Sequence, residues 1–271
     1  MIQAELLTET TELHFQKMLN DPRYRFQEKH NGHRLLICKQ NGGLRWFNRE
    51  GEPSSKNLPA RLRQILLNHP LPTFVIDGEL VKQLFHVFDA LYLGDEELVH
   101  DPYEYREARY HAEFKGYAYI LPVDTARTPE EKKLLWQQVE DSHGEGIVSK
   151  RMDARYCQGY AEQHFKLKFW KMADAIVIGP SPNSKDGIEI GMYDAKGRIQ
   201  RISGCSMLVK AARKRRPQPG EVIEVRFLYA TENHNIVQPT FLHIRTDKRA
   251  EQCKLTQLDP YINKNWIGAN Q

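Results

Sequence analysis

The chain has 271 residues, of which 40% are hydrophobic and 27% are charged, and its net charge at pH 7 is +4. This composition is typical of a globular protein with one large domain or two smaller ones. There is no apolar run near the roughly 18–20 residues of a membrane helix and no recognisable signal peptide, and the four scattered cysteines indicate neither a disulfide framework nor a zinc site.

Helix and strand patterns alternate along the first 172 residues. Helical spacing or capping signals predict helices at residues 1–20, 58–68 and 128 to about 144. Runs of β-prone residues predict strands at 35–40, 44–49, 74–76, 85–90 and 147–149. Because Asn-Gly-Gly joins the first two of these strands, we expect them to form a hairpin.

Strand patterns dominate after residue 172. Predicted strands lie at 175–178, 188–193, 198–202, 222–229 and 236–244, and a predicted helix lies at 206–215. Several short strands and one helix are what a small five-stranded barrel needs. This part is also the more basic: residues 173–271 carry 15 Lys and Arg against 10 Asp and Glu, whereas residues 1–172 carry 24 against 25. The surplus of positive charge in residues 173–271 indicates either contact with phosphate backbones or a solvated basic face.

A lysine follows a short β-prone run near the start of the chain. Lys29 is followed by Gly32 and Arg34. A lysine amine is a covalent nucleophile when it is neutral, a glycine allows close approach of the backbone to a ligand, and an arginine offers a planar fork to ribose or phosphate. Without further support, such a segment is more typical of a solvated turn.

Acidic and basic groups recur downstream in a fixed order. Asp77 and Glu79 end an apolar strand, Glu145 lies between two glycines, and Lys166 and Lys168 share one face of a predicted strand. Each group alone is typical of a turn or an exposed strand face. Together they provide a nucleophile, carboxylates for a divalent ion and cations for phosphate oxygens, which are the requirements of nucleotidyl transfer.

This ordered set resembles the covalent nucleotidyltransferase superfamily of ATP-dependent DNA ligases, RNA ligases and mRNA capping enzymes. Residues 29–34 are similar to the first motif, KxDGxR, with Asn31 in place of the aspartate. Segments similar to the later motifs of the superfamily follow in the same order, at residues 47–51, 77–79, 86–91, 145–150, 166–168 and 245–248. The resemblance covers residues 25–253 and is strongest to a minimal, two-domain ATP-dependent DNA ligase. It implies an α+β fold with a nucleotidyltransferase (adenylation) domain at residues 1–172 and an OB-fold β-barrel at residues 173–271.

The resemblance also implies individual roles. Lys29 would attack the α-phosphate of ATP and carry AMP as a lysyl adduct. The residues implied to contact ATP or AMP are Glu28, Arg34, Arg49, Glu79, Phe88, Lys166, Lys168, Arg245, Asp247 and Lys248. Glu145 and Glu79 would hold Mg²⁺ or Mn²⁺.

Within these implied contacts, Arg34 and Glu79 would hold the ribose and Phe88 would stack on adenine. Lys166 and Lys168 would bind the α-phosphate. The last motif, residues 245–248, would close over pyrophosphate in the first step and then move away.

The motif variants favour a DNA ligase, because residues 145–150 read EGIVSK and the last motif lies in the predicted OB fold. The pair Glu28-Lys29 keeps RNA ligases open, and a GTP-using capping enzyme or a catalytically silent nucleic-acid-binding protein are the further alternatives. We expect nicked duplex DNA as the partner, a monomer, no membrane association, and a location in the cytoplasm of a bacterial or virus-infected cell.

A basic run in the second part is a predicted DNA contact, with a solvated helix end as the alternative. Its cations are Lys210, Arg213, Lys214, Arg215 and Arg216. Neutralising the last four should weaken DNA binding and flatten its dependence on salt, because fewer counterions would be released. Binding titrations at several KCl concentrations measure the salt dependence of the affinity. An unchanged salt dependence would favour the alternative, in which the run is a solvated helix end.

Overall fold

The computed structural model describes residues 3–207 and 215–263. The chain divides into two compact units: unit 1 is Met1–Val139 with Gly146–Leu167, and unit 2 is Glu140–Glu145 with Lys168–Gln271. Both units are rich in strands, and the helices lie mainly in unit 1, so the fold is a mixed α/β fold. The division predicted at residue 172 stays a prediction. No helix in the described ranges is long and apolar enough to cross a membrane.

Two sheets form unit 1. The elements, in chain order, are β1 (Glu5–Glu9), α1 (Glu12–Leu19), β2 (Tyr24–Glu28), β3 (His33–Gln40), β4 (Gly43–Phe47), α2 (Ala60–Asn68), β5 (Phe74–Val81), β6 (Leu84–Leu93), β7 (Glu96–Glu97), α3 (Tyr103–Phe114), β8 (Ile120–Pro122), α4 (Pro129–Asp141), β9 (Gly146–Arg151) and β10 (Gly159–Lys168). One sheet has the order β1-β10-β9-β2, and the other has the order β4-β3-β5-β6-β7 with β8 paired to β6.

The larger sheet carries the main core of unit 1. Alternate residues of β3, β5 and β6 are buried in one cluster with Leu62 and Leu66 of α2 and with Tyr110 and Phe114 of α3. The two-residue period of the strands and the helical spacing of the leucines place these apolar side chains on facing surfaces. Burial of this cluster positions β5 and β6, which contribute Glu79 and Phe88 to the cleft described below.

The amino-terminal segment differs from its prediction. Instead of one helix over residues 1–20, it forms strand β1 and helix α1. Thr11 separates them, because it caps α1 by accepting a hydrogen bond from the His14 backbone N–H. β1 pairs in parallel with β10, with Leu6 opposite Tyr160. Since that partner lies about 150 residues away in sequence, the local residue pattern of positions 1–20 could not predict the strand pairing.

Unit 2 is a five-stranded antiparallel sheet. Its strands are β11 (Lys171–Pro180), β12 (Ile188–Tyr193), β13 (Ile199–Cys205), β14 (Val222–Phe227) and β15 (Thr240–Ile244), in the order β13-β12-β11-β14-β15. Their inward residues form one buried cluster. Three short 3₁₀ turns follow, at Ala250–Gln252, Leu255–Gln257 and Asp259–Tyr261.

The strand pairings of unit 2 do not close into a barrel within the described residues. An isolated bridge joins Ser206, just after β13, to Thr240 at the start of β15. The Phe241 N–H donates to the Ser206 carbonyl at 3.0 Å. Most of the predicted helix at 206–215 lies outside the described residues.

A buried lysine connects α4 to the end of α1. Lys132 is 1% exposed, and its ammonium donates to the carbonyls of Met18, Leu19 and Asp21 at 3.1, 3.3 and 2.8 Å. The last carbonyls of a helix have no partner within the helix, and a cation there also opposes the negative end of the helix dipole. Burial lowers the pKa of Lys132, against the opposing effect of Asp21. The ammonium therefore replaces water at the carboxyl end of α1.

Lys132→Met should lower the free energy of unfolding by about 2–3 kcal/mol, because it leaves these buried carbonyls without a donor. Urea unfolding followed by circular dichroism measures the loss. The adjacent, exposed Lys133→Met is the matched control and should change the free energy by less than about 0.5 kcal/mol. Equal effects of the two substitutions would contradict this role.

Glu5 of β1 anchors a buried ionic cluster. Its carboxylate is hydrogen-bonded to His164 of β10, and one oxygen lies 3.7 Å from the Lys150 ammonium of β9. Burial alone would raise the pKa of Glu5, but the hydrogen bond from His164 and the charge of Lys150 outweigh it and lower the pKa from 4.5 to about 2. Glu5 therefore stabilises the fold in its ionised form.

Because the folded-state pKa of Glu5 is below the unfolded one, its contribution is complete above pH 4.5 and is lost as the pH falls towards 2. The shift corresponds to about 3 kcal/mol. Glu5→Gln should therefore lower stability at pH 7 and reduce the loss of stability between pH 5 and 2, as measured by urea unfolding at stepped pH. The exposed Glu9→Gln should keep the wild-type pH dependence. A wild-type pH dependence in Glu5→Gln would contradict the assignment.

Candidate active site

A cleft of about 780 Å³ opens in unit 1. Its walls come from β1, from the segment joining β2 to β3, from the turn after β4, and from β5, β6, β9 and β10. Seven residues predicted to contact the nucleotide line it: Glu28, Lys29, Arg34, Arg49, Glu79, Phe88 and Lys166. They lie far apart in sequence, so the fold of unit 1 brings the predicted set together.

Lys29 begins the segment that leaves the carboxyl end of β2. β2 runs antiparallel to β9, with Glu28 opposite Ile147, and the Lys29 N–H donates to the Gly146 carbonyl at 2.9 Å. This bond continues the ladder by one residue and fixes the backbone of the half-buried lysine. The amine is thus presented to the cleft from a rigid strand end.

Two histidines lie beside Lys29. The His30 ring stacks on His86 of β6, with ring centroids 3.9 Å apart. Burial, and then the neighbouring His86 and Lys29, lower the pKa of His30 to about 3, and burial also lowers the pKa of His86. Burial raises the pKa of Glu28. His30 is therefore a neutral neighbour of the lysine at physiological pH. No local sequence pattern links the two histidines, so the pair could not be predicted from the motifs.

Arg34 is held by a carboxylate beneath the cleft. Its Nε and Nη2 donate to the two oxygens of Asp77 at 3.0 and 2.6 Å, and the Tyr156 hydroxyl donates to Asp77 at 2.9 Å. Asp77 is completely buried, so this two-pronged pairing compensates its charge. Arg34 was predicted to hold the ribose directly. The structure adds that two of its donors are already directed at Asp77.

Glu79 and Gly32 join the segment after Lys29 to β5. One Glu79 oxygen accepts the Gly32 N–H at 2.9 Å. A Cβ at residue 32 would lie 2.3 Å from the Leu80 carbonyl oxygen, so any side chain there would displace the segment. The glycine was predicted to permit close approach to a ligand, and in the structure it permits close approach to β5.

Phe88 lies on the cleft wall within cation–π distance of two cations. The Arg34 guanidinium carbon is 5.1 Å and the Lys150 ammonium 5.6 Å from its ring centroid. Lys150 is 3% exposed and lies 4.0 Å from Asp89. Lys150 is the last residue of the motif at residues 145–150, and the resemblance implied no separate role for it. An aromatic ring flanked by fixed positive charge is a suitable surface for a nucleobase carrying phosphates.

The rim of the cleft is more exposed. Arg49, in the turn after β4, forms an ion pair with Glu50 at 2.6 Å. Tyr160 of β10 also lines the cleft and is 76% exposed, and it lies outside the motifs predicted from the sequence.

Glu145 and Lys168, predicted to bind metal and α-phosphate, belong to unit 2. They form an ion pair at 3.3 Å, and the Phe169 N–H donates to the Glu145 carbonyl at 3.0 Å. The Lys168 ammonium also donates to Gln238 at 2.8 Å. Within the described part of the chain, no three His, Cys, Asp or Glu side chains cluster as metal ligands. One or two carboxylates fit Mg²⁺, which usually completes its shell with water and substrate phosphates.

Arg245, Asp247 and Lys248 also lie in unit 2, where Arg245 and Lys248 contact Asp174. Of the predicted DNA-binding run, Lys210, Arg213 and Lys214 are outside the described residues. Arg215 forms an ion pair with Glu221, and Arg216 donates to the Gly187 carbonyl at 2.9 Å. Their DNA-binding role stays a prediction.

Sequence comparison relates the chain to DNA ligases. Residues 81–168 match the ATP-dependent DNA ligase domain family. DNA ligase C1 of Mycolicibacterium smegmatis is 32% identical over 128 residues, which cover 44% of this chain and 35% of that protein. DNA ligase 4 of Candida glabrata is 27% identical over 135 residues, which cover 46% of this chain and 14% of that protein. The chain thus spans only a minor part of the length of either relative.

Structure comparison gives the same relationship for the fold. A mycobacterial DNA ligase D complexed with ATP and MES matches 93% of this chain and 97% of its own, with a TM-score of 0.56 and 20% identity. A Lig E DNA ligase matches 90% of this chain and 100% of its own, with a TM-score of 0.63 and 16% identity. The family match over residues 81–168 confirms the resemblance that the motifs predict, the fold is shared with solved DNA ligases, and the chain is thus similar to the ATP-dependent DNA ligases.

Proposed function

We propose that the protein is an ATP-dependent DNA ligase that seals nicks between a 5′-phosphate and a 3′-hydroxyl in duplex DNA. The observation that carries the proposal is the position of Lys29, which is fixed at the end of β2 in a cleft with Glu79, Phe88 and Lys166. A lysine nucleophile, a carboxylate, an aromatic surface and a further cation are the groups that adenylyl transfer requires.

In the first step, the neutral amine of Lys29 attacks the α-phosphorus of ATP and loses its proton to solvent. A nitrogen–phosphorus bond forms, the bond from the α-phosphorus to the bridging oxygen breaks, and pyrophosphate leaves. Phe88 supports the adenine, while Glu79 and Arg34 face the ribose. Lys166 and Lys168 neutralise charge on the α-phosphate, and Arg49 contacts the phosphates at the rim.

Glu145 and Glu79 would provide oxygen ligands for Mg²⁺, and the ion would offset charge on the phosphate oxygens. In the second step, the AMP passes from Lys29 to the 5′-phosphate at the nick, and the lysine regains its proton. In the third step, the 3′-hydroxyl attacks that phosphate, the new phosphodiester bond forms and AMP leaves.

For unit 2, we propose an OB fold that carries Arg245, Asp247 and Lys248 to the pyrophosphate in the first step and later contacts DNA. Support comes from five antiparallel strands and from the bridge between Ser206 and Thr240, which links the two outer strands of the sheet path. Five strands in a partly open barrel are typical of this fold.

Lys29→Ala should abolish covalent labelling and nick sealing, because no other group replaces the nucleophile. The protein is mixed with Mg²⁺ and, separately, with α-labelled ATP, α-labelled GTP and adenylate-labelled NAD, and the labelled residue is mapped. Label from ATP on Lys29 is expected. The exposed Lys17→Ala is the control and should label normally.

Other outcomes would replace this proposal. Label from GTP alone would assign the protein to the capping enzymes, and label from NAD alone would exclude ATP as the co-substrate. Nick sealing confined to RNA strands would assign it to the RNA ligases. Binding of nicked duplex without any adduct would indicate a silent nucleic-acid-binding protein.

A further inference from the structure

The cations of the last motif already have an anionic partner within unit 2. Asp174 lies on β11 and is 6% exposed. One oxygen of its carboxylate accepts from Arg245 Nη1 at 3.0 Å, and the other accepts from the Lys248 ammonium. Both cations proposed to bind pyrophosphate are therefore held by a single buried carboxylate.

Arg245 has further acidic neighbours. Its Nε and Nη2 donate to Asp247 at 2.9 and 2.8 Å, and its Nη1 lies 3.6 Å from Glu224. The hydrogen bond from Arg245 lowers the pKa of Asp247 well below its usual range. Two cations thus face three carboxylates, so the cluster is electrostatically satisfied before any phosphate arrives.

The register of the sheet explains why the cations are needed there. Asp174 on β11 lies directly opposite Glu224 on β14. Like charges in directly opposed positions destabilise a strand pair, and Arg245 lies within ion-pair distance of both carboxylates. Removing Arg245 from this position would leave that repulsion uncompensated.

The carboxylate is also fixed in position. The side-chain amide of Gln257 accepts from the Asp174 N–H at 3.4 Å and donates to the Asp174 carbonyl at 3.5 Å. Gln257 lies in a 3₁₀ turn that follows the last motif. The backbone of Asp174 is therefore tied both to its own sheet and to the segment beyond Lys248.

We propose that Asp174 is a positioning residue that competes with the triphosphate of ATP for Arg245 and Lys248, and so sets the ATP concentration at which Lys29 is adenylylated. This inference rests on the proposed ligase function. When the two cations bind phosphate they leave Asp174, and when pyrophosphate departs they return to it. Asp174 would then affect the first step and not the sealing of a nick that already carries AMP.

Competition and simple structural support have opposite kinetic effects. If Asp174 withholds the cations, removing its charge raises the fraction of protein that can bind phosphate, and the KM for ATP falls. If Asp174 only supports the fold or presents the cations, removing its charge raises the KM or lowers the melting temperature without lowering the KM.

The test is the Asp174→Asn variant of the full chain. The KM and maximal rate of self-adenylylation are measured with labelled ATP, and the sealing rate is measured on a nick that has been adenylylated in advance. We expect the KM for ATP to fall about three- to tenfold, and the sealing rate on that nick to stay at the wild-type value. The matched control is Glu189→Gln, since Glu189 is also buried in unit 2 and pairs with Arg201; its KM should not change.

An unchanged or higher KM in a folded Asp174→Asn variant would overturn the inference, and so would an equal fall in Glu189→Gln. If Asp174→Asn does not fold, the KM for ATP is measured with Gln257→Ala instead. This substitution removes the two hydrogen bonds to the Asp174 backbone and keeps the charge of Asp174. It should lower the KM about twofold, and an unchanged KM would again overturn the inference. Absence of label in the wild-type protein would instead refute the proposed function, so the two failures are distinguishable.

Discussion

Lys29 extends from a ladder in which β2 runs antiparallel to β9, and its own N–H makes the last bond of that ladder, to Gly146. The other features of the cleft depend on this pairing. It places the segment after Lys29 over β5, where Gly32 meets Glu79 and Leu80. It also places β9 against the buried charges that surround Phe88. A backbone ladder is a rigid support, so it fixes the point from which the Lys29 side chain extends into the cleft.

Beneath the cleft, buried charges are paired with one another. Asp77 holds Arg34, Asp89 binds Arg106 through two hydrogen bonds, and Glu5 lies between His164 and Lys150. An unpaired charge in these positions would be costly, and the pairs restrict each side chain to one arrangement. The cleft floor therefore has fixed electrostatics before a nucleotide enters. This arrangement is preorganised for a ligand that combines an aromatic base with phosphates.

The sequence motifs predicted part of the cleft lining, because they carry unusual residue types in a fixed order. Seven predicted contacts line one cavity, and the hairpin of β3 and β4 follows directly from its turn residues. The missed features depend on distant partners. β1 forms a strand by pairing with β10, and Asp77 has its role because it binds Arg34. The rings of His30 and His86 meet because the β5–β6 hairpin brings His86 to His30. Local periodicity contains no information on such pairings, and a buried lysine such as Lys132 contradicts ordinary burial preferences.

The parallel pairing of β1 with β10 has a consequence for how the chain tolerates trimming. β1 is the outer strand of its sheet, and its Glu5 supplies the carboxylate that pairs with His164. Proteolytic removal of the first nine residues would turn β10 into an open edge strand bearing the exposed Tyr160. It would also leave the buried imidazole of His164 beside Lys150 without its carboxylate partner. β1 therefore both supplies Leu6 and Leu7 to the wall of the cleft and keeps the buried His164 paired.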